Sequence, residues 1–450
     1  MASLPISTVI EQTQVSPPAA TVGDKLLPLT YFDFFWLRQP PIHNLFFYEL
    51  AITQTQFIET IIPKLKHSLS ITLQHFFPFS GNLIVFPNKK PEIHYYEGDS
   101  VAVTFAECNL DFNELVGNHP RDCEVFYHLT PILGEPDKSS DFTKIPVFCV
   151  QVTLYPNSGI SIGMTNHHCL GDASTRFYFF KAWTSIARFG SNESFLANGT
   201  LPFYDRVVNP IIEESYLKYS KLESFKEEYQ PAKLCGPTDK VRATFILPRT
   251  VLNRLKTLVS TQLPTLAHVH VSSFTVTCAY IWSCMAKTRD DGLQMFVFTI
   301  DCRARMNPAV PAAYFGNCVG WCMAMEQAKQ LMGKEGFVTA AKSIGENLHN
   351  TLTDKDGIVK VVESFGNLFA NGIPKTSIGV SGSPKLKFYD MDFGWGKPKK
   401  IETVSIDYKE AISINACRDK NEDFEIGVCL PSSEMKSFVQ IFEDGLEKYI

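Results

Sequence analysis

The sequence predicts a mixed α/β protein built as two domains, and three observations carry that expectation. Its 450 residues exceed what a single hydrophobic core usually organises. Helical and strand-like segments follow one another without the regular alternation of a parallel α/β sheet, and paired strand signals around turns point to mixed or antiparallel sheet. Near the midpoint the composition shifts to Gly190-Ser-Asn-Glu-Ser194, then to Asn-Gly-Thr-Leu-Pro202, then to a run rich in Lys and Glu. Such a stretch reads as a linker. The expected domains are therefore 1–188 and 241–450, with 189–240 between them.

Composition narrows the class of function. Apolar residues make up 45% of the chain, with 35 Phe and 16 Tyr, enough to fill two cores and to exclude disorder. A formal charge of −5 gives no general attraction to nucleic acid or anionic membrane. No apolar run is long enough to span a bilayer. The 12 cysteines are scattered without a C-x-x-C pair, and Cys318 and Cys322 have no second pair at zinc-site spacing. Reduced thiols in a cytoplasmic protein are the expectation, with no signal peptide and no metal. A soluble protein acting on small molecules fits these features.

In chain order, residues 5–14 alternate as a first strand. Leu29-Thr-Tyr-Phe-Asp-Phe-Phe-Trp-Leu-Arg38 is an aromatic cluster with a cation at its rim. Residues 56–76 have helical spacing, with Leu65, Leu69 and Leu73 on one face and Pro63 at a first turn or kink. Ile93–Tyr96 and Val101–Phe105 read as a hairpin through Glu97-Gly98-Asp99-Ser100. Phe148, Val150, Val152 and Leu154 alternate; Pro156-Asn157-Ser158-Gly159 turns the chain; Ile160, Ile162 and Met164 return it. Phe177, Phe180, Trp183 and Ala187 then give a helix over 173–188. In the second half we expect strands at 243–248, 295–300, 385–389 and 424–430. Helices are expected at 251–261, from the cap Ser272-Ser273 through Trp282, at 336–350, at 356–370 and at 432–449.

The chemistry concentrates where the second hairpin ends, in Asn166-His167-His168-Cys169-Leu170-Gly171-Asp172. Four readings are open from the residues alone. The histidines satisfy backbone groups while Asp172 caps the helix; they bind a metal; Cys169 joins them as a nucleophile; or one histidine is a general base. Adjacent histidines on a strand point to opposite faces, which disfavours one shared ion. A general base needs only one imidazole at the lip of a site, held in one tautomer.

His168-Cys-Leu-Gly-Asp172 together with Asp392-Phe-Gly-Trp-Gly396, 220 residues apart from Asp172 to Asp392, resembles the H-x-x-x-D and D-F-G-W-G pair of the plant BAHD acyl-CoA-dependent acyltransferases. Tyr314-Phe-Gly-Asn-Cys318 resembles the motif of the branch that acylates anthocyanins and other flavonoid glycosides. Leu29-Thr-Tyr-Phe-Asp33, Ser68-Leu-Ser, Phe77-Pro78 and Ile426-Gly-Val-Cys429 extend the likeness over the chain.

The resemblance implies two similarly built domains of mixed sheet and flanking helices, joined by a long crossover, with a channel at the interface. It implies malonyl transfer from malonyl-CoA to the glucosyl 6-hydroxyl of an anthocyanin or flavonoid glucoside. His168 would be the general base, and Asp172 would turn away to pair with Arg303; the D-F-G-W-G loop would be mainly architectural, with a catalytic part for Asp392 as the further assignment. No cofactor beyond the acyl-CoA co-substrate and no partner beyond these small molecules is implied.

Chemistry assigns the remaining candidates. A malonyl carboxylate needs a cation, for which Arg176 lies one helical turn beyond Asp172. Arg38, Arg303, Arg305, Lys397, Lys399 and Lys400 offer charge, and Ser272 and Ser273 offer a helix N-terminus, to acyl-CoA phosphates. Asn317 and Gly379 are expected in the acceptor pocket, Gly379 making it roomy where branch members often carry an aromatic. The alternatives are an aromatic (hydroxycinnamoyl) donor on similar glycosides, or a non-catalytic relative that binds phenolics.

Overall fold

The computed structural model describes residues 6–87, 89–206, 213–214, 239–263, 268–288, 292–354, 357, 360, 374–408, 410–420 and 422–447. Among them, two large mixed sheets divide the chain, one for each half. The N-terminal sheet orders its strands Ser7–Val15, Val101–Cys108, Phe148–Tyr155, Gly159–Asn166, Ile42–Glu49 and Lys400–Thr403. The C-terminal sheet runs Val319–Gln327, Leu293–Asp301, Thr376–Ser381, Ala411–Ala416, Phe424–Pro431, Lys240–Leu247 and Arg121–Asp122. A third, smaller sheet collects Lys25–Pro28, Glu92–Tyr95, Asn82–Val85, Thr143–Pro146 and Asp137–Lys138. The mixed α/β class and the two sheet-and-helix halves follow the expectation.

The halves trade strands. Lys400–Thr403, from the C-terminal half, pairs antiparallel with Ile42–Glu49. In return Arg121–Asp122 pairs with Lys240–Leu247 at the edge of the other sheet. Between these exchanges lies a buried ionic network: Arg121 bonds Glu402, Arg242 bonds Asp407, and Lys400 meets Glu425. Burial pushes Glu402 up, yet the nearby Arg121, Arg242 and Lys400 bring its carboxyl below the usual range. Lys400 is thus committed to this network and to Asn118, and is not a charge for acyl-CoA.

The strand pair that leads to the histidines is the expected hairpin. Phe148–Tyr155 and Gly159–Asn166 pair along their whole length, and every residue in both is buried. Helix Ile62–His75 buries Leu65, Leu69 and Leu73 as expected, each burial contributing about 1.5–3 kcal/mol. A π-helical turn, Phe57–Ile61, runs into it without a break, so Pro63 lies inside one continuous helical run at the π-to-α junction, where the widened turn accommodates it, and not at a helix start. The indole of Trp183, in helix Ala173–Phe189, donates to Ser68 Oγ at 3.1 Å and docks the two helices.

Three expectations need correction or fall outside. Glu92–Tyr95 and Val101–Cys108 are not a hairpin: the turn exists, but each strand joins a different sheet. Residues 385–389 hold no strand; Phe388–Asp390 is a 3-10 turn, and the strand lies upstream at Thr376–Ser381. The expected helix at 356–370 and most of the 189–240 linker lie outside the described residues. The eleven cysteines among the described residues are all unbridged.

Candidate active site

Strand Gly159–Asn166 ends at Asn166, and a 3-10 turn, His168–Leu170, carries the chain to helix Ala173–Phe189. Asp172 is that helix's N-cap, accepting from the backbone N–H of Ser174 at 3.0 Å and Thr175 at 3.2 Å. A Cβ on Gly171 would come within 2.6 Å of the Thr175 side chain. That side chain cannot swing away, because its hydroxyl donates to Gly316 O and accepts from Gly316 N. The tight exit therefore requires glycine.

The three proton-handling groups have different surroundings. His167 is fully buried; its Nδ1 accepts from Cys169 N at 3.2 Å, and burial, partly offset by a bond to the Leu37 backbone, holds it down at about 4. Asp172, 4% exposed, points away from His168 into the C-terminal half. Arg303 grips it with two bonds, at 2.8 and 3.1 Å, and Cys318 N donates to it at 3.0 Å. His168 alone is partly exposed. Its imidazole lies flat against the indole of Trp36, ring centroids 3.6 Å apart at 12°. Trp321 and Phe35 extend this aromatic wall, each pair at 4.9 Å.

Segment 316–318 of the C-terminal half enters between these groups. Its three successive backbone N–H groups each donate to an N-terminal side-chain oxygen: Gly316 to Thr175, Asn317 to Asp33, and Cys318 to Asp172. Gly316 takes φ +119°, and a Cβ there would meet Arg206 at 2.8 Å. Backbone donors in a buried place must be satisfied, and here three carry the halves' alignment.

The other expected residues separate into groups. Arg176 is half-buried; it donates to Gly171 O at 3.2 Å, and burial pushes its guanidinium down to about 10 despite Asp172. It lines a cavity of about 10 Å³, room for roughly one water, with Asn44, Phe148, Asn166 and Phe388 among its walls. Arg38 is half-buried two residues beyond Trp36. Ser272 caps helix Ser273–Ala286 by accepting from Thr275 N, so Ser272 and Ser273 stand at a partly exposed helix N-terminus. Arg305 is exposed and donates to Asp301 O. Gly379 sits in strand Thr376–Ser381 where an added Cβ would make only ordinary contact with Ala411, so its missing side chain leaves real space.

Two assignments change. Asp392 spends one carboxylate oxygen on the N–H groups of Gly394 and Gly396, at 2.7 and 2.8 Å, and the other on Arg188. One oxygen is thus occupied by its own loop and the other by helix Ala173–Phe189, a setting that is architectural and leaves no oxygen for the catalytic part expected. Asn317 is fully buried and bonded to Asp33 and to the His168 carbonyl, which makes it a brace and not a lining of the acceptor pocket. Lys397 and Lys399 pair with Asp390 and Glu49.

Sequence reasoning missed the roles of Asp33, Trp36 and Thr175. Asp33 carried a signal: a carboxylate inside an aromatic run must find donors when buried. Trp36 carried none, since its spacing matches that of the core aromatics around it.

A model of the Transferase family matches residues 7–445. The chain is 51% identical to the malonyl-coenzyme A:anthocyanin 3-O-glucoside-6''-O-malonyltransferase of Dahlia pinnata, with 100% of both chains covered. It is 42% identical to phenolic glucoside malonyltransferase 1 of Nicotiana tabacum, over 91% of this chain and 92% of that one. Among solved structures, vinorine synthase superposes with a TM-score of 0.69 at 19% identity, covering 96% of each chain, a likeness of fold.

Proposed function

The chain belongs to the Transferase family, whose BAHD acyltransferases its motifs resemble, and on that premise we propose that it moves a malonyl group from malonyl-CoA to the glucosyl 6-hydroxyl of an anthocyanin or flavonoid glucoside. One observation carries the mechanism: of the His167, His168 and Asp172 set, only His168 is left partly exposed and able to meet a substrate. His168 takes the proton of the sugar hydroxyl as its oxygen attacks the thioester carbonyl. The tetrahedral intermediate collapses, the C–S bond breaks, and the CoA thiolate leaves and takes up the proton that His168 holds. The new bond is an ester. No covalent acyl-enzyme is needed, and the acyl-CoA is a co-substrate and not a resident cofactor.

Asp172 works at one remove. Held by Arg303 and Cys318 N, it caps the helix and fixes the turn on which His168 stands. Malonyl as donor is supported by Arg176. A guanidinium in a half-buried place, with one protein acceptor among the described residues, suits a carboxylate. Ser272, Ser273, Arg38 and Arg305 are proposed for the CoA phosphates, and Gly379 for a roomy acceptor pocket. A cytoplasmic monomer is the setting this reading supports; the eleven unbridged cysteines are consistent with a reducing compartment.

The test is a matrix of donors against acceptors with mass-spectrometric product identification. Malonyl-CoA with an anthocyanidin 3-O-glucoside should give one added malonyl on the sugar. Preference for coumaroyl-CoA, or transfer to a phenolic hydroxyl, would overturn the assignment.

A further inference from the structure

We infer that Asn317 is a positioning residue for the catalytic histidine: its side-chain amide, locked by Asp33, holds the backbone of His168 from across the molecule. The inference rests on the reading of His168 as the base. Asn317 Nδ2 donates to His168 O at 3.0 Å and to Asp33 Oδ1 at 3.1 Å. Both Asn317 and Asp33 are 0% exposed. Asp33 Oδ1 also accepts from Asn317 N at 2.9 Å, while its Oδ2 accepts from Thr30 N and Thr30 Oγ1. Asn317 is therefore pinned at backbone and side chain by one carboxylate.

The amide can face only one way. Two acceptors, the Asp33 carboxylate and the His168 carbonyl, converge on Nδ2, and a flipped amide would set oxygen against both. That orientation leaves Asn317 Oδ1 buried without a hydrogen-bond partner among the described residues, an unfavourable state for a polar atom. The amide is thus fixed by what its nitrogen holds.

What it holds is the peptide plane between His168 and Cys169. Fixing that plane fixes the ψ angle of His168, and with it the direction in which the imidazole leaves the chain. Trp36 fixes the other freedom, the ring's tilt, by lying 3.6 Å from it. The base is thus held by its own half through Trp36 and by the opposite half through Asn317. A base misplaced by about 1 Å loses roughly 100-fold in rate, so this tie governs turnover more than affinity.

The experiment replaces Asn317 by leucine, which keeps the branched shape and deletes the amide. In Asn317→Leu, kcat should fall about 100-fold while KM for malonyl-CoA stays within about 2-fold. Leu446→Ala, in the distant C-terminal helix Ser432–Glu447, serves as a stability control and should keep kcat within about 2-fold at a comparable loss of Tm. In a His168→Ala background, Asn317→Leu should cost nothing more, because no base remains to be positioned. Should Asn317→Leu fail to fold, Asn317→Ser, too short to reach the His168 carbonyl, carries the same predicted loss.

A kcat within about 3-fold of wild type in the Asn317 variant, an equal loss in the Leu446 control, or a full additional loss in the His168→Ala background would each overturn the inference. Full activity of His168→Ala itself would instead overturn the base reading, which separates the two failures.

Discussion

Arg176 and His167 show how a single residue's surroundings set its part. Burial lowers Arg176 to about 10, yet it stays cationic at neutral pH, and a half-buried guanidinium suits an anion. Charge-assisted hydrogen bonds contribute about 1.5–3 kcal/mol, so Arg176→Ala should lower kcat/KM for malonyl-CoA by roughly 10- to 100-fold and leave coumaroyl-CoA nearly unchanged. Equal losses with both donors would remove the carboxylate clamp. His167 predicts a pH effect on stability. Burial lowers it from 6.5 to about 4, so between those values the unfolded chain binds a proton that the folded chain refuses. Stability should therefore fall as pH drops from 6.5 towards about 4, and His43, lowered to about 3 by burial, should extend the decline. Urea midpoints at pH 7 and pH 5 measure it; His167→Gln should flatten the slope, and a wild-type profile already flat would contradict the account.

At the scale of elements, the turn between strand Gly159–Asn166 and helix Ala173–Phe189 is the part on which the site depends. Gly171→Ala should cost about 1–3 kcal/mol in stability, because its Cβ meets a threonine that is bonded on both sides of its hydroxyl. Differential unfolding and kcat together should show both losses; an unstrained, fully active variant would mean the helix can shift. This turn was legible in the sequence for local reasons. Alternation marked the strands, Asp172 marked the cap, and the spacing of Phe177, Phe180, Trp183 and Ala187 marked the helix, which ends at Gly190 with φ +72°. The supposed hairpin over 93–105 was misread because turn residues announce a reversal and say nothing about which strand will be the neighbour. Strand Thr376–Ser381 went unseen because two serines and a glycine weaken its pattern. The ties of segment 316–318 were out of reach for another reason: they join backbone N–H groups to side chains 141, 284 and 146 residues away.

The whole molecule is two sheet-and-helix halves fastened to each other at the site and again behind it. Segment 316–318 fastens the front; the exchanged strands and the network of Arg121, Glu402, Arg242 and Asp407 fasten the back. Removing one member of a buried ionic network leaves its partners uncompensated, so Arg242→Met should destabilise by about 3–5 kcal/mol. Because each sheet contains a strand from the other half, unfolding should proceed in one cooperative transition by both calorimetry and fluorescence, and two separated transitions would contradict that coupling. The likeness to BAHD motifs gave the reaction, with His168 as the expected base and Asp172 turned to Arg303; the structure added the bond from Asn317 to the His168 carbonyl and those that tie Asp392 to its loop and to Arg188. The most direct measurement is therefore His168→Ala in the full chain, assayed for malonyl transfer and for malonyl-CoA binding side by side. The account predicts turnover reduced by about 100- to 10,000-fold with binding affinity nearly unchanged; wild-type turnover, or a loss of binding that explains the whole defect, would contradict it.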